Sequence, residues 1–171
     1  IEKNGFFGKK LRITGKGRCN VTNNCPVKEV IENIPTGGKF LYGAVSAFSP
    51  EDVMEMFENL GVPLKTERGR RVFPKSDRAA DIVTALMQKM QNAGFHFIFE
   101  KCTGIITDDS GVPDVKPVRA IYGCRSAVIA TGGVSYPKTG SDGDGYNLAK
   151  KLGHTVVKPK GSLVPIVEAG D

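Results

Sequence analysis

The sequence predicts an α/β fold carrying a small antiparallel β-meander, and two observations lead there. A strand-like run, Ser126 to Ala130, enters the glycine-rich loop A-T-G-G-V-S-Y-P-K-T-G-S-D-G-D-G (130–145), and a helix-like run, Tyr146 to Leu152, leaves it. Strand, glycine loop, helix is how an α/β protein presents backbone N–H groups to a phosphate or another anion. The second observation is a series of β-type segments between residues 95 and 130, punctuated by turn residues. Another glycine-rich loop, G-K-G-R-C-N-V-T-N (15–23), lies far upstream. Two such loops point to one large anionic cofactor.

The elements follow in order. Ile1-Glu2 reads as the end of a buried strand and Lys3 to Lys10 as a turn-rich basic loop. Leu11 to Thr14 suits a short strand or a helix start, and Val27 to Asn33 a short helix. Ser49-Pro50-Glu51-Asp52 is a strong helix start: Ser49 caps, Pro50 fits the first turn, and the acids complement the dipole. Val53, Met54, Phe57 and Leu60 make one apolar face, and Gly61 closes the helix. Leu64 to Phe73 reads as a hairpin or extended loop. Asp77 or Ser76 is expected to cap a second helix running to about Ala93, with Ile82, Val83, Leu86, Met87 and Met90 buried and Gly94 as its stop. Strands are expected over 95–100, 103–107, 115–122 and 125–130. Asp108-Asp109-Ser110-Gly111 has hairpin-turn chemistry, and Gly123 marks a further turn.

The 171 residues suffice for one domain with its own core. A hydrophobic fraction of 40% and a charged fraction of 25% fit a globular protein. No apolar run approaches the roughly 20 residues of a membrane span, and no signal segment opens the chain. The first residue is Ile1, and Ser162 to Asp171 stops within strand-like sequence. Both ends read as cut, so a fragment of a longer protein is expected, with a processed mature chain as the alternative. Cys19, Cys25, Cys102 and Cys124 show neither a CxxC nor a zinc-like spacing, and His96 and His154 stand far from them. No metal site is expected, and the sparse cysteines suggest a reducing, cytoplasmic compartment.

The glycine loops carry the chemistry. Gly15 and Gly17 permit backbone geometry closed to other residues and allow close approach of a ligand. Arg18 offers a planar fork for a phosphate or carbonyl oxygen. Asn20, Thr22 and Asn23 can hold either the loop or a ligand. Cys19 reads as a small packing residue, with a redox thiol as the alternative. In the second loop, Thr131, Gly132 and Gly133 follow a strand's carboxyl end, where open α/β sheets bind ligands. The helix opening after Gly143, Asp144 and Gly145 favours an anionic group at its N-terminus, such as a pyrophosphate or a reduced flavin ring. Asp144 is expected to be its N-cap rather than a calcium ligand. Tyr136 either lines a pocket or packs on a sheet edge, Arg70 and Arg71 read as exposed hairpin arginines, and His154 as structural. An acid in the place of Glu2 bonds ribose hydroxyls in dinucleotide folds, where a G-x-G-x-x-G turn precedes it.

The strings G-K-K-L-R-I-T-G-K-G-R-C-N-V-T-N, G-R-R-V-F-P-K-S-D-R-A-A-D-I-V and A-T-G-G-V-S-Y-P-K-T-G-S-D-G-D-G-Y-N-L-A-K-K-L-G-H resemble the bacterial FAD-dependent oxidoreductases of the aminoacetone-oxidase type. The resemblance covers essentially the whole chain. It implies a partial Rossmann-like FAD-binding domain over 1–171, from a protein about twice as long or more. By the resemblance, a first strand with G-x-G-x-x-G lies upstream, and an inserted β domain follows Ser162 to Pro165, so that 162–171 begins the connection to it. It also implies that FAD is held noncovalently. Glu2 would lie at the ribose, and Gly15, Gly17, Arg18, Asn20, Thr22, Thr131, Gly132, Gly143, Asp144 and Gly145 beside the cofactor. The substrate would be a small organic molecule, with NAD(P)H as a candidate partner in electron transfer.

The rival classes are a nucleic-acid-binding module and a nucleotide-binding protein without catalysis. The net charge of +6 and six basic residues within the first eighteen support the former. The few aromatics, 8% with no Trp, weigh against it. Substrate identity and oligomeric state are not written in the sequence.

Overall fold

The computed structural model describes residues 1–107, 111 and 113–161. It divides into two compact units, Ile1–Lys101 and Cys102–Asp171.

The first unit is built on a short antiparallel sheet. Strands β1 (Thr22–Asn23), β2 (Leu64–Glu67) and β3 (Arg71–Pro74) lie in the order β1-β3-β2. Thr22 pairs with Val72, and Thr66 faces Val72 from the other side. The expected hairpin is therefore formed, with Arg68, Gly69 and Arg70 at its tip. Helices α1 (Val27–Glu32) and α2 (Tyr42–Ala47) lie between β1 and α3 (Pro50–Asn59) in sequence, and α4 (Ala79–Asn92) follows the hairpin. The core is made of Cys19, Phe57, Val62, Leu64, Val72, Ala79, Ile82 and Ala85. It joins the buried faces of α3 and α4 to one side of the sheet.

Local chemistry explains the helix ends. Ser49 Oγ accepts from the Asp52 N–H at 3.2 Å, and the Asp52 carboxylate accepts from the Ser49 N–H at 2.7 Å, a reciprocal capping box. Gly61 takes a left-handed φ of 78°, as a helix stop requires. α4 departs from expectation at its start. Arg78 occupies the N-cap position without a side-chain bond, because Asp77 has turned to left-handed backbone (φ 56°) and its carboxylate is engaged by Lys65. Leu11–Gly17 forms short 3-10 turns rather than a strand, interrupted by non-helical angles at Thr14, Gly15 and Lys16.

Ile1-Glu2 and the segment 95–100 do not form strands. The Glu2 N–H donates to the Ile98 carbonyl at 2.8 Å, and Phe7 meets Phe97 edge-on at 5.9 Å. The Phe95 N–H donates back to the Met90 carbonyl of α4 at 3.0 Å, and these bonds make no ladder, which a strand needs for its propensity to be realised.

The second unit holds the antiparallel meander. Strands β4 (Cys102–Thr107), β5 (Pro113–Pro117) and β6 (Tyr122–Gly123) pair in sequence order. The strand expected over 115–122 is broken after Pro117, and Gly123 belongs to β6 opposite Asp114 instead of marking a turn. The Asp108–Gly111 turn, apart from Gly111, and the segment 162–171 lie outside the described residues. Helix α5 (Asp144–Lys151) follows the second glycine loop as expected.

The strand expected over 125–130 is not formed, and Val128 is 89% exposed. A parallel strand of Val and Ala is stable only between neighbours that cover both faces, and the described residues place none beside it.

Candidate functional site

In the first unit the sequence-predicted residues pack among themselves. Gly15 takes φ 56°, and a Cβ there would stand 2.8 Å from Phe73 Cε1 and 3.0 Å from the Asn20 nitrogen. Glycine is required at this position on both counts. Gly17 is also left-handed, at φ 86°. Cys19 is buried within the core at φ 62°, and its N–H donates to the Thr14 carbonyl at 3.0 Å. Burial raises its thiol pKa, more than a hydrogen bond with Thr14 lowers it, so the packing reading holds. The Asn20 amide, oriented by its neighbours, donates to the Thr22 and Val72 carbonyls at 3.3 Å each. Asn23 Nδ2 donates to the Gly69 carbonyl at 2.9 Å. The short polar residues thus serve the loop.

Arg18 is the most heavily engaged of these residues. Its Nη1 bonds Glu67 at 2.9 and 3.1 Å and Asp77 at 3.3 Å, and its guanidinium lies 4.0 Å from the centre of the Phe73 ring. Lys65 Nζ bonds Asp77 at 2.7 Å and approaches Glu67 to 3.3 Å. Two cations and two carboxylates therefore form one network. Hydrogen bonding to Glu67 raises the Arg18 pKa, against a smaller cost of burial. Burial pushes the Glu67 carboxyl up, but bonds from Arg18 and Lys65, with their charges, together bring it below its ordinary value. Sequence reading missed Glu67, Asp77 and Phe73 as partners. The signal was present in the string T-E-R-G-R-R-V-F-P-K-S-D, whose two acids bracket the hairpin tip and β3.

Glu2 Oε1 accepts from the Asn4 N–H at 2.8 Å and from its Nδ2 at 2.7 Å, a local turn that fixes the carboxylate. Arg70 pairs with Glu29 at 2.5 Å, and both Arg70 and Arg71 are exposed. A groove of about 400 Å³ beside α3 is walled by Glu51, Glu55 and Glu58 over Met54 and Leu64. It includes none of the residues expected beside the cofactor.

The second loop is built differently. Gly132 and Gly143 are left-handed, at φ 78° and 88°. The Gly143 N–H donates to the Gly133 carbonyl at 3.2 Å and closes the loop on itself. Gly145, buried in the first turn of α5, faces Thr131 so closely that a methyl there would meet the Thr131 hydroxyl, with Ile129 Cγ2 at 3.1 Å. Asp144 is not the N-cap. Gly143 is, and Asp144 is the first helical residue, its N–H donating to Asp142 Oδ1 at 3.3 Å. The left-handed turn at Gly143 admits the chain to the helix one residue earlier than the acid. Tyr136 is exposed with φ 55° and does not pack as a buried residue. The His154 N–H closes the last turn of α5 on the Ala149 carbonyl at 3.1 Å.

Among the described residues, two buried polar side-chain atoms lack a partner: Arg12 Nε and Thr131 Oγ1. Thr131 Oγ1 lies inside the second glycine loop, in contact with the space that a Cβ at Gly145 would fill. A buried hydroxyl without a bond is costly unless a ligand completes it. A narrow backbone cradle, a hydroxyl and a helix start fit a polar cofactor. Asp142 and Asp144 at the same helix start bring negative charge, which suits a hydroxyl- or N–H-bearing part of a ligand better than its phosphates.

The chain matches the family described as "HI0933-like protein Rossmann domain" over residues 1–166. It belongs to that family. The α/β, Rossmann-type class read from the glycine loops therefore stands, although the strand over 125–130 is not formed among the described residues. The chain is 29% identical to the 3-dehydro-bile acid delta(4,6)-reductase of Clostridium scindens, over 99% of its own length and 39% of the relative's. It is 28% identical to the ribosomal RNA dihydrouridine synthase of Escherichia coli, over 92% of its length and 39% of the relative's. The corresponding Haemophilus influenzae synthase is 26% identical, with 93% and 40% covered. The chain thus spans about two fifths of the curated relatives it matches. No helix among the described residues is long and apolar enough to cross a membrane. Nor do those residues place three or more His, Cys, Asp or Glu where they could hold a metal ion.

Proposed function

We propose that the protein containing this chain is a flavin-dependent oxidoreductase that binds FAD noncovalently. The carrying observation is the second glycine loop, where the buried Thr131 hydroxyl has no partner among the described residues and stands against Gly145, leaving no room for a side chain there as the loop is arranged. Thr131, Gly132 and the Gly143–Gly145 turn are the residues proposed to hold the cofactor in this unit, and Glu2 is proposed to bond its ribose. When bound, the flavin supplies the hydride chemistry, and the chain's residues bind and orient it.

The relatives' names sharpen the reaction type. Dihydrouridine is uridine with one ring double bond reduced, and a delta(4,6)-reductase is named for the double bonds of its substrate. The proposed reaction is hydride and proton addition across a conjugated carbon–carbon double bond, with NAD(P)H as the reductant. The substrate proposed is a small unsaturated compound. A uridine within RNA is the second reading, favoured by the two synthases and by the basic N-terminal stretch.

The test is the visible absorption spectrum of the whole protein, purified without added cofactor. A flavin spectrum that survives gel filtration is expected. A folded, colourless protein that takes up no added FAD would overturn the proposal. RNA binding that falls steeply with salt would move the substrate assignment to RNA.

A further inference from the structure

Two of the three sequence strings that identify the family meet in the first unit. The loop 15–23 comes from one, and the segment ending in R-V-F-P-K-S-D from the other. Their junction is the Arg18 network. Nη1 is saturated by three carboxylate contacts, one face of the guanidinium lies on the buried Phe73 ring, and Lys65 ties the same two carboxylates together from the other side. The backbone that Arg18 belongs to is strained: Lys16 and Cys19 take left-handed φ of 58° and 62° without being glycine. Such angles persist only where the surroundings fix them. The four charges, Arg18, Lys65, Glu67 and Asp77, balance one another, and Arg71 lies 5.8 Å from the centre of the same Phe73 ring.

We propose that Arg18 is a positioning residue: it fastens the Gly15–Asn23 loop to the β2–β3 hairpin and meets no cofactor or substrate itself. Its flat face stacks on Phe73 while Nη1 reaches both carboxylates, and a lysine supplies no stacking face. The consequence for cofactor affinity rests on the flavin reading above; the clamp does not.

The two roles predict opposite signs for one substitution. Glu67→Gln removes a carboxylate charge from Arg18. If Arg18 met an anionic cofactor group, the freed guanidinium would bind it more tightly. If Arg18 is a clamp, the loop loosens and affinity falls. The experiment measures amide hydrogen exchange at residues 16–20 and FAD affinity by fluorescence titration. It uses the whole protein and the variants Arg18→Ala, Arg18→Lys, Glu67→Gln and the double variant Arg18→Ala/Glu67→Gln.

The clamp predicts about tenfold faster exchange at Cys19 for both Arg18→Ala and Glu67→Gln, as expected for loss of charge-assisted bonds. The double variant exchanges no faster than Arg18→Ala, Arg18→Lys does not restore protection, and FAD affinity falls in parallel. Unchanged exchange in Glu67→Gln, or tighter FAD binding by it, overturns the clamp. A wild-type protein that takes up no FAD overturns the flavin reading, and exchange then judges the clamp alone. Should Arg18→Ala fail to fold, Glu67→Gln and Arg18→Lys carry the same comparison.

Discussion

The two glycine loops look alike in sequence and differ in what fills them. The loop at 15–23 is packed by its own chain. Phe73 occupies the space beside Gly15, Cys19 sits in the core, and Arg18 is bound to two acids. The loop at 131–145 closes around a hydroxyl that the described residues leave unbonded. Glycine therefore serves close packing in both loops, against Phe73 in the first and against Ser141, Val134 and Thr131 in the second, and the loops differ in whether the polar groups beside it are bonded. Composition alone does not distinguish the two loops. The partners of the neighbouring polar atoms do.

The largest expected effect breaks the first loop from below. Phe73→Ala removes a fully buried ring that supports both Gly15 and the Arg18 guanidinium. The cost expected is about 3–5 kcal/mol, read by chemical denaturation. Next is Gly15→Ala, which adds a methyl against Phe73 and imposes a side chain on φ 56°. A loss of about 2 kcal/mol is expected from strain and overpacking together. Wild-type stability in that variant would show that the loop is looser than its contacts indicate.

Much of this packing was legible before the structure. Ser49-Pro50 at the start of α3, the hairpin over 64–74 and the stop at Gly94 are set by local rules and stand where those rules put them, and a helix follows the second glycine loop. The failures share a different cause. Ser126–Ala130 and 95–100 have strand composition, but a strand depends on neighbours that no local pattern reports. The caps at Asp77 and Asp144 failed because left-handed residues, Asp77 itself and Gly143, moved the helix starts. The acids that engage Arg18 lie 49 and 59 residues away in sequence, beyond the reach of any local motif.

A smaller effect separates the networks by pH. Glu67 and Asp77 both titrate below the ordinary carboxylate range in the folded chain. For Glu67, burial pushes the other way but is outweighed by Arg18 and Lys65; for Asp77, the Lys65 bond leads. A carboxyl depressed in the folded state contributes stability above its unfolded pKa, near 4, and loses it as pH falls through the folded value. The first unit is expected to lose stability between about pH 5 and 3. Thermal melts across that range should show a shallower loss in Glu67→Gln. An identical pH slope in wild type and variant would remove the network from the acid response.

The smallest effect on stability belongs to Thr131→Val, and it separates the loops most directly. Valine keeps the shape and replaces the unbonded hydroxyl with a methyl. If that hydroxyl served the fold, its loss would lower the melting temperature. Because no atom among the described residues accepts from or donates to it, the expected change is neutral or slightly stabilising, while flavin retention falls. The same logic applied to the first loop gives the opposite pattern: removing the polar group of Arg18 loosens the fold first, and ligand binding follows. A melting temperature lowered by Thr131→Val with flavin content unchanged would make the second loop a packed structural turn like the first, and the candidate site would have to be sought elsewhere in the chain.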